Sequence, residues 1–368
     1  MRLMIALLLA SAVACGGPAD NYRYSREKAQ KSLVKLEEPG LLIGEFSLAN
    51  KGVVDGDTIK VDGLETSLRL LAIDTEETFG KKNARREAEA DWDAYLAKQR
   101  ASSKRPWKGF TPMGLVATEW GKQFFAGVTT VRVERDHPKE IRGYYNRYLA
   151  YVFARKNGVW LNYNVEAVRA GMTPYFTKYG YSRRYHDDFV AAENEARAAK
   201  RGIWDPSAKS YGDYDVRKAW WDARADFIKK FEIDAEGRDD MIALTNWDAL
   251  KRIEANVGKE IELLGGVGEI RMSEKGPTKV MLSRRMFADF PVIFFDKDVF
   301  AGSGIAGYKG EFVRIRGVVN KYHNKYRNRD ELQIIVNLPS QVIGDESTRT
   351  EPPAPAPASI PTAAKEPL

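Results

Sequence analysis

Three separated runs of this 368-residue chain place acids and arginines where strands and turns have no structural need of them. In Val53-Val54-Asp55-Gly56-Asp57-Thr58-Ile59, two carboxylates flank a glycine inside a stretch that otherwise reads as a buried strand. In Leu68-Arg69-Leu70-Leu71-Ala72-Ile73-Asp74-Thr75-Glu76-Glu77, an arginine interrupts an apolar strand and three acids crowd its end. In Tyr144-Tyr145-Asn146-Arg147-Tyr148-Leu149-Ala150-Tyr151, one more arginine stands at the mouth of a strand. Each run also has an ordinary structural reading. Asp-Gly is the commonest short hairpin signal, a strand arginine can belong to a satisfied ion pair, and an arginine at a strand end is usually on the surface. Composition bounds the chemistry. One cysteine and three histidines exclude disulfide frameworks, Cys-rich zinc sites and the HExxH metal helix, so any metal is held by oxygen atoms. A net charge of +7 and a pI near 9.1 give a surface that tolerates or seeks polyanions.

The elements that must position these residues follow from pattern. A hydrophobic share of 43% and a charged share of 30% fit a soluble globular chain, not a disordered or multi-span one. The length suits two domains of about 150 residues. Ile43 to Val61 and Leu68 to Ile73 read as strands of an antiparallel sheet. Leu115 to Phe125 has helical spacing, and Thr129 to Glu134 and Tyr148 to Phe153 alternate as strands do. Val165 to Ala170 and Asp187 to Lys200 read as helices, the second stopped by Gly202 and Pro206, which puts a domain edge near 206. Arg85 to Arg105, with dense alternating charge around Trp92 and Tyr95, reads as a solvated helix and loop without chemistry of its own. Arg217 to Phe231 reads as a connecting helix, and a second strand-rich region runs from Val257 to Ile343. The expected spans are a tether at 15–40, a first domain at 41–206 with an insertion at 85–110, a helical connector at 207–256, a second barrel at 257–345 and a disordered Pro/Ala-rich tail at 346–368.

Arg2, the apolar Leu3 to Ala10 and the small residues Ser11 to Ala14 read as a secretory signal peptide over residues 1–14. Ala12-Val13-Ala14-Cys15 resembles the lipobox of bacterial lipoproteins, which implies an acylated Cys15 and a protein anchored in the bacterial envelope. The alternative is simple secretion. The lack of an Asp after Cys15 favours the outer membrane of a Gram-negative cell. No other apolar run approaches the ~20 residues of a spanning helix.

Together the three runs resemble the catalytic segments of the staphylococcal nuclease (thermonuclease) family, in order and nearly in spacing, over about Leu41 to Pro206. Asp55-Gly56-Asp57-Thr58 is similar to its DGDT run, Arg69 to Glu77 to its RLxxxDTPE run, and Arg147-Tyr148-Leu149-Ala150-Tyr151 to its RxLAY run. Lys200-Arg201-Gly202-Ile203-Trp204 resembles the family's closing helix and Ile-Trp plug. The resemblance implies a β-rich α+β fold, an oligonucleotide-binding-type barrel carrying helices, and a calcium-dependent phosphodiesterase acting on DNA and RNA that leaves a 3′-phosphate. It assigns Asp57, Asp74 and the Thr75 carbonyl to Ca2+, which suits a hard cation. It assigns Arg69 and Arg147 to the phosphoryl oxygens, whose geometry guanidinium forks match, and Glu77 to the general base. Tyr145 and Tyr175 fall where the family places tyrosines that touch the terminal phosphate or a base. Glu76 stands where the family has proline, adding a charge near the metal and a rival to Glu77. Asp55 reads as a turn or supporting residue, and His137, His186 and His323 as surface histidines.

The second strand-rich region resembles a further, smaller oligonucleotide-binding-type barrel. Between its last two strands, Lys321-Tyr322-His323-Asn324-Lys325-Tyr326-Arg327-Asn328-Arg329 mixes cations and aromatics. Such a loop neutralises phosphates while bases stack, or is a solvated hairpin tip. Arg284, Arg285 and Phe287 extend that face. The leading expectation is an envelope-anchored nuclease whose second barrel grips nucleic acid. The alternatives are an inactive nucleic-acid-binding lipoprotein and an envelope adaptor for peptide or glycan. No protein partner is expected.

Overall fold

The computed structural model describes residues 40–349, apart from 81, 102, 104–105, 284–288 and 326–327. The expected signal peptide with Cys15, the expected tether up to residue 39, residues 350–368 of the expected tail, and Arg284, Arg285, Phe287, Tyr326 and Arg327 lie outside the described residues.

The first sheet comprises β1 (Leu42–Val53), β2 (Thr58–Val61), β3 (Leu68–Leu70), β4 (Thr130–Glu134), β5 (Tyr148–Lys156) and β6 (Val159–Asn162). Its order is β3-β2-β1-β4-β5-β6, and β3 also pairs with β5, so five strands close on themselves as expected. The closing pair is parallel, Arg69 lying opposite Leu149, whereas the other ladders are antiparallel. Alternation along these strands turns Ile59, Leu68, Leu70, Val131, Val133 and Val152 into the barrel, all fully buried or nearly so. Each such side chain contributes about 1.5–3 kcal/mol by leaving water. The helix Pro112–Phe124 plugs one end through Phe124. It starts at Thr111, whose hydroxyl accepts from the Gly114 N–H, with Pro112 in the first turn where no N–H is needed. The helices Tyr163–Arg169 and His186–Ala198 complete the domain.

The insertion is not merely a solvated helix and loop. It forms two helices, Lys82–Ala90 and Trp92–Ala101. Their charged faces are wet, but Ala88, Tyr95 and Trp107 enter a separate aromatic cluster with Met113, Phe176, Ile203, Tyr211, Tyr214 and Trp221. Charge density hid the apolar stripe because that stripe is completed partly by Tyr211, Tyr214 and Trp221, more than 100 positions away.

The second sheet comprises β7 (Met241–Ala243), β8 (Glu260–Arg271), β9 (Thr278–Ser283), β10 (Phe290–Phe294), β11 (Phe312–Asn324), β12 (Arg329–Ile335) and β13 (Val342–Gly344). β11 pairs with β8 as well as β12, and β10 pairs with β12 in parallel, so β8-β9-β10-β12-β11 traces the same closed circuit as the first barrel. Two boundaries differ from expectation. The connector is helical over Tyr214–Asp234 and Ala249–Ala255 but also holds β7, which pairs with β8 and whose three residues are too few to show alternation. Residues 346–349, expected within the tail, are packed on the second barrel: Thr348 is buried, Arg349 pairs with Glu346 at 2.8 Å and its guanidinium lies 5.3 Å over the Tyr308 ring.

The 21-residue helix Tyr214–Asp234 is a spine between the barrels. On one side Asp222 accepts from Thr177, Asp226 from Tyr181 and Glu232 from Arg183. On the other, Phe231 and Ile228 pack with Met241, Leu264 and Phe312 of the second barrel. Among the described residues no helix is long and apolar enough to cross a membrane.

Candidate active site

The turn between β1 and β2 presents Asp57. The Asp55 carboxylate accepts the Asp57 N–H at 3.0 Å, and the Val54 N–H bonds the Thr58 carbonyl at 3.0 Å, which is the hairpin the sequence suggested. Gly56 has no alternative here, since a Cβ on it would lie 2.6 Å from the Thr75 methyl. Its carbonyl accepts from the buried Tyr163 hydroxyl at 2.9 Å. Burial, then the adjacent Asp57 charge, pushes the Asp55 carboxyl up to about 7. Asp55 is thus a supporting residue of the turn, as read.

Beyond β3 the chain turns at Ala72, whose φ of 61° is unusual for a residue with a Cβ. The cost of about 1–2 kcal/mol is met by tertiary contacts. The Phe176 N–H bonds the Ala72 carbonyl at 2.9 Å and the Asp74 N–H bonds the Thr173 hydroxyl at 3.1 Å. The turn delivers Asp74 beside Asp57, and the register that pairs Thr58 with Arg69 puts the guanidinium between them. Arg69 Nη1 lies 2.6 Å from Asp57 Oδ2 and Nη2 lies 2.6 Å from Asp74 Oδ1. The ion-pair reading of Arg69 therefore holds in this state, and its partners are two residues assigned to the metal.

Thr75 enters through its backbone, its N–H donating to Asp57 Oδ2 at 3.1 Å. Arg147, at the start of β5, donates to Thr58 Oγ1 at 3.4 Å, and that hydroxyl donates to Asp57 Oδ1 at 3.1 Å. Glu77 is half exposed, its side chain 47% accessible. Its carbonyl accepts the Thr111 N–H at 3.1 Å, and a Cβ on Gly114 would approach that carbonyl to 2.3 Å, so the helix Pro112–Phe124 fixes where Glu77 stands. Asp57, Arg69, Asp74, Thr75, Glu77 and Arg147 are thus linked, directly or through Thr58 and Lys108, into one site.

Two expectations are corrected. Tyr175 is 1% exposed, stacked on Phe189 with ring centroids 4.9 Å apart, its hydroxyl accepting from the Ser182 N–H at 2.9 Å; in this structure it is packed as a core residue. Glu76 is buried and turned away from the acids. Its carboxylate accepts from Thr111, from the Tyr214 hydroxyl and from the Tyr211 N–H, which ties the loop to the start of the spine helix. Burial, outweighing these bonds, raises its carboxyl above the ordinary range. A proline replacement of this kind reads in sequence as added charge; only the fold shows three donors waiting for it. Tyr145, by contrast, is 55% exposed two residues before Arg147. His323 is exposed as read, while His186 is half-buried with Nδ1 3.0 Å from the Tyr175 hydroxyl.

Three site residues were not singled out from sequence. Lys108, at the end of the insertion, places Nζ 2.8 Å from Asp74 Oδ1 and 3.4 Å from Glu77 Oε1. Burial alone would raise the Asp74 carboxyl, yet Lys108 and then Arg69 more than offset it and hold it below the ordinary range. Tyr179, 66% exposed, acts electrostatically on Arg69, and Lys178 does so on Asp74. The available signal was Lys178-Tyr179, three and four residues beyond Tyr175.

Lys178 Nζ lies 5.0 Å from the Trp220 ring, and burial, then the Arg224 guanidinium, pushes it down to about 8 from an ordinary 10.5. Between those values the unfolded chain binds the proton that the folded chain has lost, so stability rises with pH across this window, and the destabilisation is full below it. Lys178→Met is expected to stabilise the fold at pH 7 by about 2–3 kcal/mol at most, a tenfold change in proton affinity being worth about 1.4 kcal/mol. It should also flatten the rise between about pH 8 and 10.5. Denaturant unfolding at pH 7 and pH 9 checks both.

Among the described residues no three His, Cys, Asp or Glu side chains converge as a ready metal cage. Asp57 and Asp74 nevertheless converge on one guanidinium, and the donor set is oxygen throughout. That fits a hard cation, which accepts two carboxylates with backbone oxygen and water at loosely fixed geometry.

Residues 67–206 match the family model described as staphylococcal nuclease homologue. An uncharacterized protein of Methanocaldococcus jannaschii is 29% identical over 161 residues, covering 41% of this chain and 68% of that protein. The matched segment contains Arg69, Asp74, Glu77 and Arg147; Asp57 precedes it by ten residues and joins them through the β2–β3 register. The likeness supports a nuclease-type function in general.

Proposed function

We propose that this protein is a calcium-dependent phosphodiesterase that cuts DNA and RNA to 3′-phosphate ends, held in the bacterial envelope by an acylated Cys15. The observation that carries the reading is Arg69 bridging Asp57 and Asp74 at 2.6 Å each, with Arg147 and Glu77 joined to the same acids through Thr58 and Lys108. An isolated structural ion pair would not draw a second arginine and a half-exposed acid to one place.

Arg69 and Arg147 bind the phosphoryl oxygens, Arg69 exchanging its carboxylates for the phosphate. Paired hydrogen bonds from guanidinium forks strengthen as charge grows on those oxygens. Glu77, accessible to solvent, takes the proton of the attacking water. Tyr145 borders Arg147 and touches the end of the bound strand. Asp57, Asp74 and the Thr75 carbonyl would hold Ca2+, which when bound neutralises developing charge on the phosphate. The hairpin of β11 and β12 carries Lys321 and Tyr322 on β11 and Lys325 in its turn, and with Tyr326 and Arg327 of the same sequence run it contacts the strand away from the cut. Tyr322 is exposed, while Lys321 shares its charge with Glu254 at 3.6 Å.

The test is incubation of the mature protein with single- and double-stranded DNA and with RNA, first with calcium and then with chelator. The expected result is cleavage that appears with calcium, stops on chelation and leaves 3′-phosphates. Persistent absence of calcium-stimulated cleavage overturns the reading.

A further inference from the structure

We propose that Lys108 is a resident cation of the acidic pocket, which a divalent ion must displace, so that the insertion sets how tightly the site binds metal. The inference rests on the calcium reading above and concerns a residue outside the three motifs.

Asp74 Oδ1 already serves two cations, Arg69 Nη2 at 2.6 Å and Lys108 Nζ at 2.8 Å, and the same ammonium reaches Glu77 Oε1 at 3.4 Å. A calcium ion needs carboxylate oxygens at about 2.3–2.6 Å. It cannot approach Asp74 there without meeting a like charge a few ångströms away. The position of Lys108 is built, not incidental. On one side of it the Trp107 carbonyl accepts from Arg217. On the other, the Gly109 N–H donates to the Tyr211 hydroxyl at 3.0 Å while that hydroxyl donates to the Gly109 carbonyl at 2.9 Å. Trp107 and Tyr211 pack edge to face at 5.4 Å inside the insertion's aromatic cluster. The backbone of Lys108 is therefore fixed to the domain, while its side chain, 44% exposed, has room to swing aside. An ammonium aimed at two acids from a pinned loop neutralises the pocket while no ion is bound, and that neutralisation must be given up when one enters.

The test is calorimetric titration of calcium chloride, without nucleic acid, into the parent and into Lys108→Met. As a control, Lys98→Met removes the same charge from an exposed pair with Glu87 in the same insertion. The expected result is about tenfold tighter calcium binding by Lys108→Met, within the usual range for a coupling between sites, with Lys98→Met and the charge-keeping Lys108→Arg near the parent. Should the Met variant fail to fold, Lys108→Gln makes the same comparison. If the parent binds calcium and Lys108→Met binds it no tighter, this inference falls and the calcium reading stands. If neither protein binds calcium, both fall.

Discussion

Glu77→Gln is expected to slow DNA cleavage by about 10²- to 10⁴-fold, the usual loss when a general base is removed, while oligonucleotide affinity changes only a few-fold. The neighbouring Glu76→Gln is expected to cost stability and leave the cleavage rate near the parent's. Both substitutions remove one carboxylate from consecutive residues, so net charge cannot distinguish them; their surroundings do. Glu77 is half exposed, opposite Lys108, with its backbone set by Thr111 and Gly114. Glu76 is 2% exposed and accepts from Thr111, Tyr211 and Tyr214. An amide at 76 turns one acceptor into a donor facing donors, which costs about 1–3 kcal/mol for each buried group left unsatisfied. Glu76→Gln should therefore melt earlier and, while folded, cut at close to the parental rate. Single-turnover kinetics below the melting range, with thermal melts beside them, separate the two. Parental rates from Glu77→Gln would remove Glu77 from the role of base.

That contrast marks where sequence was legible and where it was not. The motif acids and arginines could be read because each violates a local rule, as a charge inside a strand or acids crowding its end, and violations cluster at working sites. The strands could be read because alternation is local. Glu76 and Lys108 could not be, because what distinguishes them is supplied from afar: Tyr214 lies 138 positions from Glu76, and Asp74 lies 34 from Lys108. The same holds for Tyr175 and Tyr179, one in the core and one in the open, which no local pattern separates. The first barrel was legible almost strand by strand. The edge strand β7 and the ordered turn at 346–348 were not, since three-residue elements exist only through the sheet or helix they rest on.

The dependence of the candidate-site loop on distant residues leads to a second large effect, from a residue of the second barrel. Glu311→Gln is expected to destabilise the protein by about 3–5 kcal/mol, the loss found when one member of a buried ion pair is removed. Glu311 and Arg224 are paired with side chains 0% and 3% exposed, so Gln leaves a guanidinium buried without its counter-charge. Arg224 also donates to the Lys178 carbonyl at 3.0 Å and the Gly310 carbonyl at 3.0 Å, holding three bodies at once: the loop beside Asp74, the spine helix and the second barrel. Arg224→Met alone should cost a similar amount. The double variant Arg224→Met with Glu311→Gln should be less destabilised than the two single effects summed, since neither charge is stranded. Denaturant unfolding of the four proteins measures the coupling, and an interaction energy near zero would refute the lock. Failure of the lock also reaches the chemistry. The Lys178 carbonyl loses its donor, the loop carrying Lys178 and Tyr179 is loosened beside Arg69 and Asp74, and Glu311→Gln cuts more slowly than the parent even where it remains folded.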